Sequence, residues 1–286
     1  MSDVVVCILL YGHRNYFYAG RQAALSILQH SDFHLFLARG RKHRLKLGQR
    51  SRVRQETIQM ENTAGYRAQP FLLKFKALKA CLENTRQPWI ILLDADAVLV
   101  RTLSARMIQQ AIPKQGLGMV EQKTVCGSDM SRADFRDHYV RHSLACLAPT
   151  AQAPALSDFR YYNSGVVLGR RQEFQKFIDW ALNKTDQNPG CHQVGKHMIG
   201  DQDYFQFWTN NLQRQHRNTL PWFWNHCEHW DQGFPKEGAY IIHFSNFCQK
   251  PTYEQVLRMY LVRHGARRLE RICLPLAEKI LRLYHG

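Results

Sequence analysis

The sequence predicts an α/β fold with the look of a nucleotide-binding, Rossmann-like domain, and three observations carry that reading. Two short apolar runs, residues 4–11 and 90–100, are rich in Ile and Val and match strands buried on both faces. Segments of helical period, residues 20–30 and 70–82, alternate with strand patterns. The second apolar run is interrupted by Asp94-Ala95-Asp96, which sets two carboxylates at or just past a strand's carboxyl end, where open α/β sheets bind ligands.

Taken in order, residues 4–11 begin the domain as a buried strand, and Gly12-His13-Arg14-Asn15-Tyr16 reads as a polar loop. Ala24, Leu25, Ile27 and Leu28 give residues 20–30 their helical period, and residues 33–38 are the second strand. Residues 39–54 hold eight Lys/Arg among sixteen positions with no acid, a solvated face or a contact for phosphate or membrane. The amphipathic helix at 70–82 carries Lys74, Lys76 and Lys79 and leads into the Asp94/Asp96 strand. Residues 117–121 are a weaker strand. Residues 122–157, irregular and Pro/Ala-rich at 148–155, read as a loop insertion of the kind that carries substrate contacts.

In Tyr161-Tyr162-Asn163-Ser164-Gly165-Val166-Val167-Leu168-Gly169, small polar residues lead an apolar run, so the backbone at Ser164 and Gly165 can approach a ligand closely. Residues 170–183 form a helix whose Phe174, Phe177, Ile178 and Leu182 face the core. Gly200-Asp201-Gln202-Asp203 opens a helical pattern at 204–212, where acidic residues also suit simple N-capping. Residues 222–230 read as a packed aromatic loop; His226, Cys227 and His229 lack the further spaced partners of a metal cluster. Residues 239–245 are a last short strand containing His243, followed by Lys250-Pro251.

At 286 residues and 45% hydrophobic, the chain can bury a full core. No stretch approaches the roughly 20 apolar residues of a membrane span, and residues 4–10 lack the basic flank and cleavage site of a signal peptide. The eight cysteines are scattered without a CxxC pair, as expected for reduced thiols in a cytoplasmic protein. The formal charge of +16 favours polyanionic partners: nucleic acid, an anionic membrane surface or phosphorylated substrates.

Asp94 and Asp96 repel each other unless solvated, protonated or bridged by a cation. A hard divalent ion shared with phosphate oxygens is the economical solution. The alternative is a strand end whose two carboxylates face water.

The ordered set Asn15-Tyr16, Lys76, Asp94-Ala95-Asp96, Asn163-Ser164-Gly165-Val166, Gly200-Asp201-Gln202-Asp203 and His243 with Lys250-Pro251 resembles the GT-A glycosyltransferases. It is most similar to the retaining, family 8-like group containing glycogenin and the bacterial lipopolysaccharide galactosyltransferases, over roughly residues 4–251. The resemblance implies a single GT-A domain at 1–251, with a mixed central sheet, an acceptor-side insertion at 122–157 and a basic amphipathic helical tail at 252–286. It implies a nucleotide-sugar donor, expected to be UDP-linked, and a glycan or glycolipid acceptor. Asp94, Asp96 and His243 would hold Mn2+ or Mg2+ against the donor's phosphates. Tyr16 would stack on the base with Asn15 bonding nearby. Lys76 and Lys250 would face phosphates or sugar, with Ala95 also in the donor site. Asn163, Ser164 and Gly165 would lie beside the sugar; Asp201, Gln202 and Asp203 are the catalytic candidates. Two departures are visible: His13-Arg14 stand where the group has an acidic pair, and Asn246 stands in the glycine position between His243 and Lys250.

The tail carries seven Lys/Arg against three Glu with apolar residues at helical spacing. It would rest on an anionic membrane surface or pack back on the domain. Two further functions fit parts of the pattern. A haloacid dehalogenase-type phosphatase matches Asp-x-Asp-x-Val and Gly-Asp-x-Asp, although at least two strands precede Asp94. A basic nucleic-acid-binding protein matches the charge but no recognised motif, so no specific nucleic acid is expected.

Overall fold

A computed structural model describes residues 2–40, 44–48, 50–58, 70–122, 124–125, 128–187, 193–194, 197–227, 236–245 and 252–265. The chain is α/β, built on a seven-stranded mixed sheet. Its strands are β1 (Val4–Leu10), β2 (His34–Arg39), β3 (Val53–Thr57), β4 (Trp89–Leu93), β6 (Leu117–Val120), β9 (Val166–Arg170) and β12 (Asn218–Leu220), in spatial order β12-β6-β9-β4-β1-β2-β3. β9 alone runs against its neighbours β4 and β6; the other pairs are parallel. A second sheet joins β5 (Ala97–Leu99), β14 (Ile241–His243) and β13 (His226–Cys227), with β14 antiparallel to β5. Two short hairpins, β7–β8 (Thr124–Val125, Ser128–Asp129) and β10–β11 (Gln193–Val194, His197–Met198), lie apart from both.

Strand alternation divides the core into two faces. Val5 and Cys7 of β1 pack on one face with α2 (Leu73–Asn84), α5 (Arg171–Gln187) and α6 (Asp201–Phe207). Val4, Val6, Ile8 and Leu10 pack on the other with α1 (Arg14–His30) and α3 (Ala105–Ala111). The first face is aromatic: Phe177 stacks on Phe205 at 4.2 Å and Phe75 meets Tyr204 edge-on at 5.0 Å.

Several elements differ from expectation. α1 begins at Arg14, not Gly20, because His13 Nδ1 caps the Asn15 N–H at 3.2 Å; Asn15 and Tyr16 therefore sit in the helix's first turn. The apolar run at 90–100 is two strands, since the chain leaves one sheet at Asp94 and enters the other at Ala97. The supposed loop at 122–157 contains α4 (Arg132–Tyr139), started by a Ser131/Asp134 capping box and continued through a π turn (Val140–Leu144) into a short helix (Ala145–Leu147). The basic run contributes β3, and two of its arginines reach backbone carbonyls. Arg52 donates to the Ser31 and Leu28 carbonyls at the end of α1, Arg54 to that of Asn84 at the end of α2.

α7 (Tyr253–Arg263) opens the tail with a Thr252/Gln255 capping box. Its Met259 and Val262 pack with Ala19, Val98, Ile242 and Phe244, so this first tail helix returns to the domain. Residues 266–286, the bulk of the tail, lie outside the described residues. Among the described residues, no helix is long and apolar enough to cross a membrane.

Candidate metal and ligand site

β4 delivers Asp94 to the carboxyl end of the large sheet, where two reversed strands meet it. Because β9 is antiparallel to β4, with Leu93 opposite Val166, the segment entering β9 lies beside Asp94. The Asp94 N–H donates to the Gly165 carbonyl at 2.9 Å, so Asn163-Ser164-Gly165 forms one wall. Because β14 is antiparallel to β5, with His243 opposite Ala97, the end of β14 reaches Asp96. There the Phe244 N–H donates to the Asp96 carbonyl at 2.9 Å.

His243 Nε2 is consequently 3.2 Å from Asp96 Oδ1 and 3.7 Å from Asp94 Oδ2. One ligand atom from each of Asp94, Asp96 and His243 lies within 4.8 Å of the other two, so the three can hold a metal ion. Two carboxylates and an imidazole are a donor set that divalent cations accept.

Gly165 makes the arrangement possible. A Cβ there would stand 2.1 Å from His243 Cε1 and 2.5 Å from Nδ1, so the ring occupies the space a side chain would fill. Glycine was expected here for the approach of a ligand; it admits the histidine.

Lys74, at the start of α2, is the residue that sequence reasoning passed over. Its buried Nζ lies 2.6 Å from Asp94 Oδ1 and 2.7 Å from Asp201 Oδ2, and donates to the Ser164 carbonyl at 3.1 Å. Ser164 Oγ donates to the same Asp201 oxygen at 2.9 Å. Lys76, half-buried, is about 200° further round the helix at 3.6 residues per turn. A helix start two residues past Pro70-Phe71 marks Lys74 as the first-turn lysine, whereas the resemblance pointed to Lys76.

These charges shape one another. Burial pushes the Lys74 ammonium down, but Asp201 and Asp94 outweigh it and hold its pKa above the ordinary lysine value. Burial raises the Asp94 carboxyl despite the opposing pull of Lys74 and His243. For Asp96, burial also acts upward, but the charge of His243 and its hydrogen bond prevail and its pKa falls below the ordinary value. Burial acts downward on His243; Asp96 and then Cys227, its register partner on β13, hold it well above 6.5.

The remaining expected residues are distributed as follows. Ala95 is buried, and a Cβ on Gly20 of α1 would lie 3.6 Å from its methyl, so α1 packs on the aspartate turn one helical turn beyond Asn15 and Tyr16. Asn15 is buried and Tyr16 packs against the α1 face of the core. Gln202 Nε2 donates to Gln122 Oε1 at 3.2 Å. Asp203 is occupied structurally: its Oδ2 accepts the Gly200 N–H at 2.9 Å, closing a capping box, and its Oδ1 accepts from Ser143 Oγ. Lys250 lies outside the described residues. Asn225 was not foreseen; it donates through Nδ2 to Asn163 Oδ1 at 2.5 Å from within the aromatic loop.

A scan against models of known protein families finds no match to this chain, and a search of curated proteins finds no relative.

Proposed function

We propose that this protein is a GT-A-type glycosyltransferase. It moves a sugar from a nucleotide sugar, expected to be UDP-linked, to a glycan or glycolipid acceptor, with retention expected from the sequence resemblance. One observation carries the reading: the Asp94/Asp96/His243 cluster shares the carboxyl end of β4 with the Lys74–Asp201 pair and the Asn163–Gly165 wall. Segments that the resemblance alone had linked, from α2 to β14, are in contact there. The α/β frame, with its reversed strand β9 beside β4, is compatible with such a domain.

A divalent cation bound by Asp94, Asp96 and His243 would neutralise charge growing on a diphosphate leaving group. The chain's own residues do the rest. Lys74 fixes Asp201 by engaging its Oδ2, leaving Oδ1, which accepts no hydrogen bond among the described residues, for a polar group of a ligand. A carboxylate held there is suited to stabilise positive charge at a sugar's anomeric centre, and its fixed position avoids reorganisation during the reaction.

The test is thermal stability with a panel of UDP-, GDP-, CMP- and ADP-sugars, with and without Mn2+, on wild type and Asp96→Ala. A ligand bound by the native state alone raises Tm by mass action, worth about 2.7 kcal/mol at 100 times Kd. The expected result is one donor that stabilises only with Mn2+ and not in the variant. A folded protein that responds to no donor refutes the proposal and turns attention to phosphate-ester hydrolysis or nucleic-acid binding.

A further inference from the structure

Asn163 Oδ1 accepts two hydrogen bonds, from the Gly165 N–H at 2.9 Å and from Asn225 Nδ2 at 2.5 Å. The first decides which way the amide faces: a backbone N–H can only donate, so the group opposite it is the oxygen. Asn225 must then present its nitrogen to that oxygen. Asn225 is 2% exposed, and its own Oδ1 has no hydrogen-bond partner among the described residues. An acceptor buried without a partner is costly, and an apolar residue of similar size would avoid that cost. What Asn225 contributes is therefore its donor.

With its oxygen doubly engaged, Asn163 retains only its NH2 for a ligand, and Nδ2 makes no hydrogen bond among the described residues. The amide stands next to the metal-site histidine: a Cβ on Gly165 would lie 2.9 Å from Asn163 Oδ1 and 2.1 Å from His243 Cε1.

We propose that Asn225 is a positioning residue that holds Asn163 as a donor-only group beside His243, so that the ligand atom bound there is an acceptor oxygen. In the nucleotide-sugar reading, on which the ligand's identity rests, that oxygen is a hydroxyl of the transferred sugar. An oxygen of the diphosphate has the same chemistry and is distinguished by the probe.

The experiment has two arms on the full chain. In the first, NMR follows hydrogen exchange of the side-chain amides without ligand. Protected Asn225 Nδ2 protons with rapidly exchanging Asn163 Nδ2 protons are expected; the reverse pattern overturns the assignment. In the second, calorimetry with Mn2+ measures UDP-glucose and UDP binding to wild type, Asn225→Ala, Asn225→Asp, Asn163→Ala and the double alanine variant. Both Asn225 variants are expected to bind UDP-glucose roughly tenfold more weakly, the loss of about one good hydrogen bond. UDP affinity should stay unchanged; an equal loss for UDP overturns the sugar hydroxyl in favour of phosphate oxygen. Because Asn225 acts through Asn163, its loss should cost nothing more in the Asn163→Ala background. Additive losses, or wild-type affinity in the near-isosteric Asn225→Asp, overturn the proposal. A wild type that binds neither probe refutes the nucleotide-sugar reading, while the exchange arm still decides the amide geometry.

Discussion

Gly165→Ala probes the site at its tightest point. The added methyl would stand 2.1 Å from His243 Cε1, 2.5 Å from Nδ1 and 2.9 Å from Asn163 Oδ1. Carbon atoms rest at about 3.5 Å or more, so the ring must retreat by more than 1 Å or the strand must bend. The ring has little freedom, being 3% exposed and carried on a strand paired on both sides. Gly165 does not have a positive φ, so the effect is steric and not a matter of backbone conformation. Overpacking of this kind costs roughly 1–3 kcal/mol, or about 2–5 °C in Tm for a chain of this size. Metal affinity should suffer more, since a misplacement of about 1 Å can cost a functional site 100-fold. Titrating Mn2+ while following the EPR signal of the free ion measures affinity directly, and a thermal melt without metal reports the stability term. Wild-type Mn2+ affinity together with an unchanged Tm would refute the claim that the imidazole fills the space of the absent side chain.

Lys74→Met should leave Asp94 and Asp201 without their shared cation. Removing one partner of a buried pair costs about 3–5 kcal/mol, and the lower end is expected because the Asp94 side chain is 30% exposed; urea unfolding should show it, and unchanged stability would refute the bridging role. The pH dependence of the metal-free protein should carry the mark of His243, which faces Asp94, Asp96 and Cys227. Its folded pKa lies above 6.5, so its contribution is fully present below the unfolded value and is lost as pH rises through the folded one. His243→Gln should flatten that decline in a series of melts; a variant that declines as steeply as wild type places the titration elsewhere. Under the proposed function a divalent cation at His243 would displace the same proton, so the stabilising effect of added Mn2+ should grow with pH in wild type.

The legible part of this chain was what local pattern encodes. Residues 4–10 and 89–93 are apolar on both faces because helices cover both sides of their sheet, and an uninterrupted Val/Ile/Leu run is the mark of such strands. Asp94 and Asp96 stood out because nothing else interrupts that run. β12 was missed because Asn218-Thr219-Leu220 is a three-residue edge strand with no periodicity to read. α4 was hidden by its charged surface, although Ser131-x-x-Asp134 is a capping signature that could have revealed it. For Asp203, acidic residues in a first helical turn suit both capping and catalysis, and it is the bonds from Gly200 and Ser143 that reveal the capping role. Asn225 gave no signal at all, since its role exists only through Asn163, 62 positions earlier.

The site depends on a property of the topology that no local pattern contains. In an all-parallel sheet the carboxyl end of β4 would meet only other strand ends and the loops that follow them. Here β9 runs the opposite way, so what meets Asp94 is the segment that precedes a strand, Asn163-Ser164-Gly165, whose Gly165 carbonyl accepts from the Asp94 N–H and whose Ser164 carbonyl accepts from Lys74. The second reversal, β14 against β5, brings in a strand end carrying His243. The Asp94–Asp96 turn is the one link between the two sheets along this run, and each of its outer residues is tied by backbone to a different reversed strand, Asp94 to Gly165 and Asp96 to Phe244. The distance between the two carboxylates is thereby set by the sheets and not by a flexible loop. A cation held between them would clamp the junction in turn, so metal binding should stiffen the contact between the two sheets as well as the site itself.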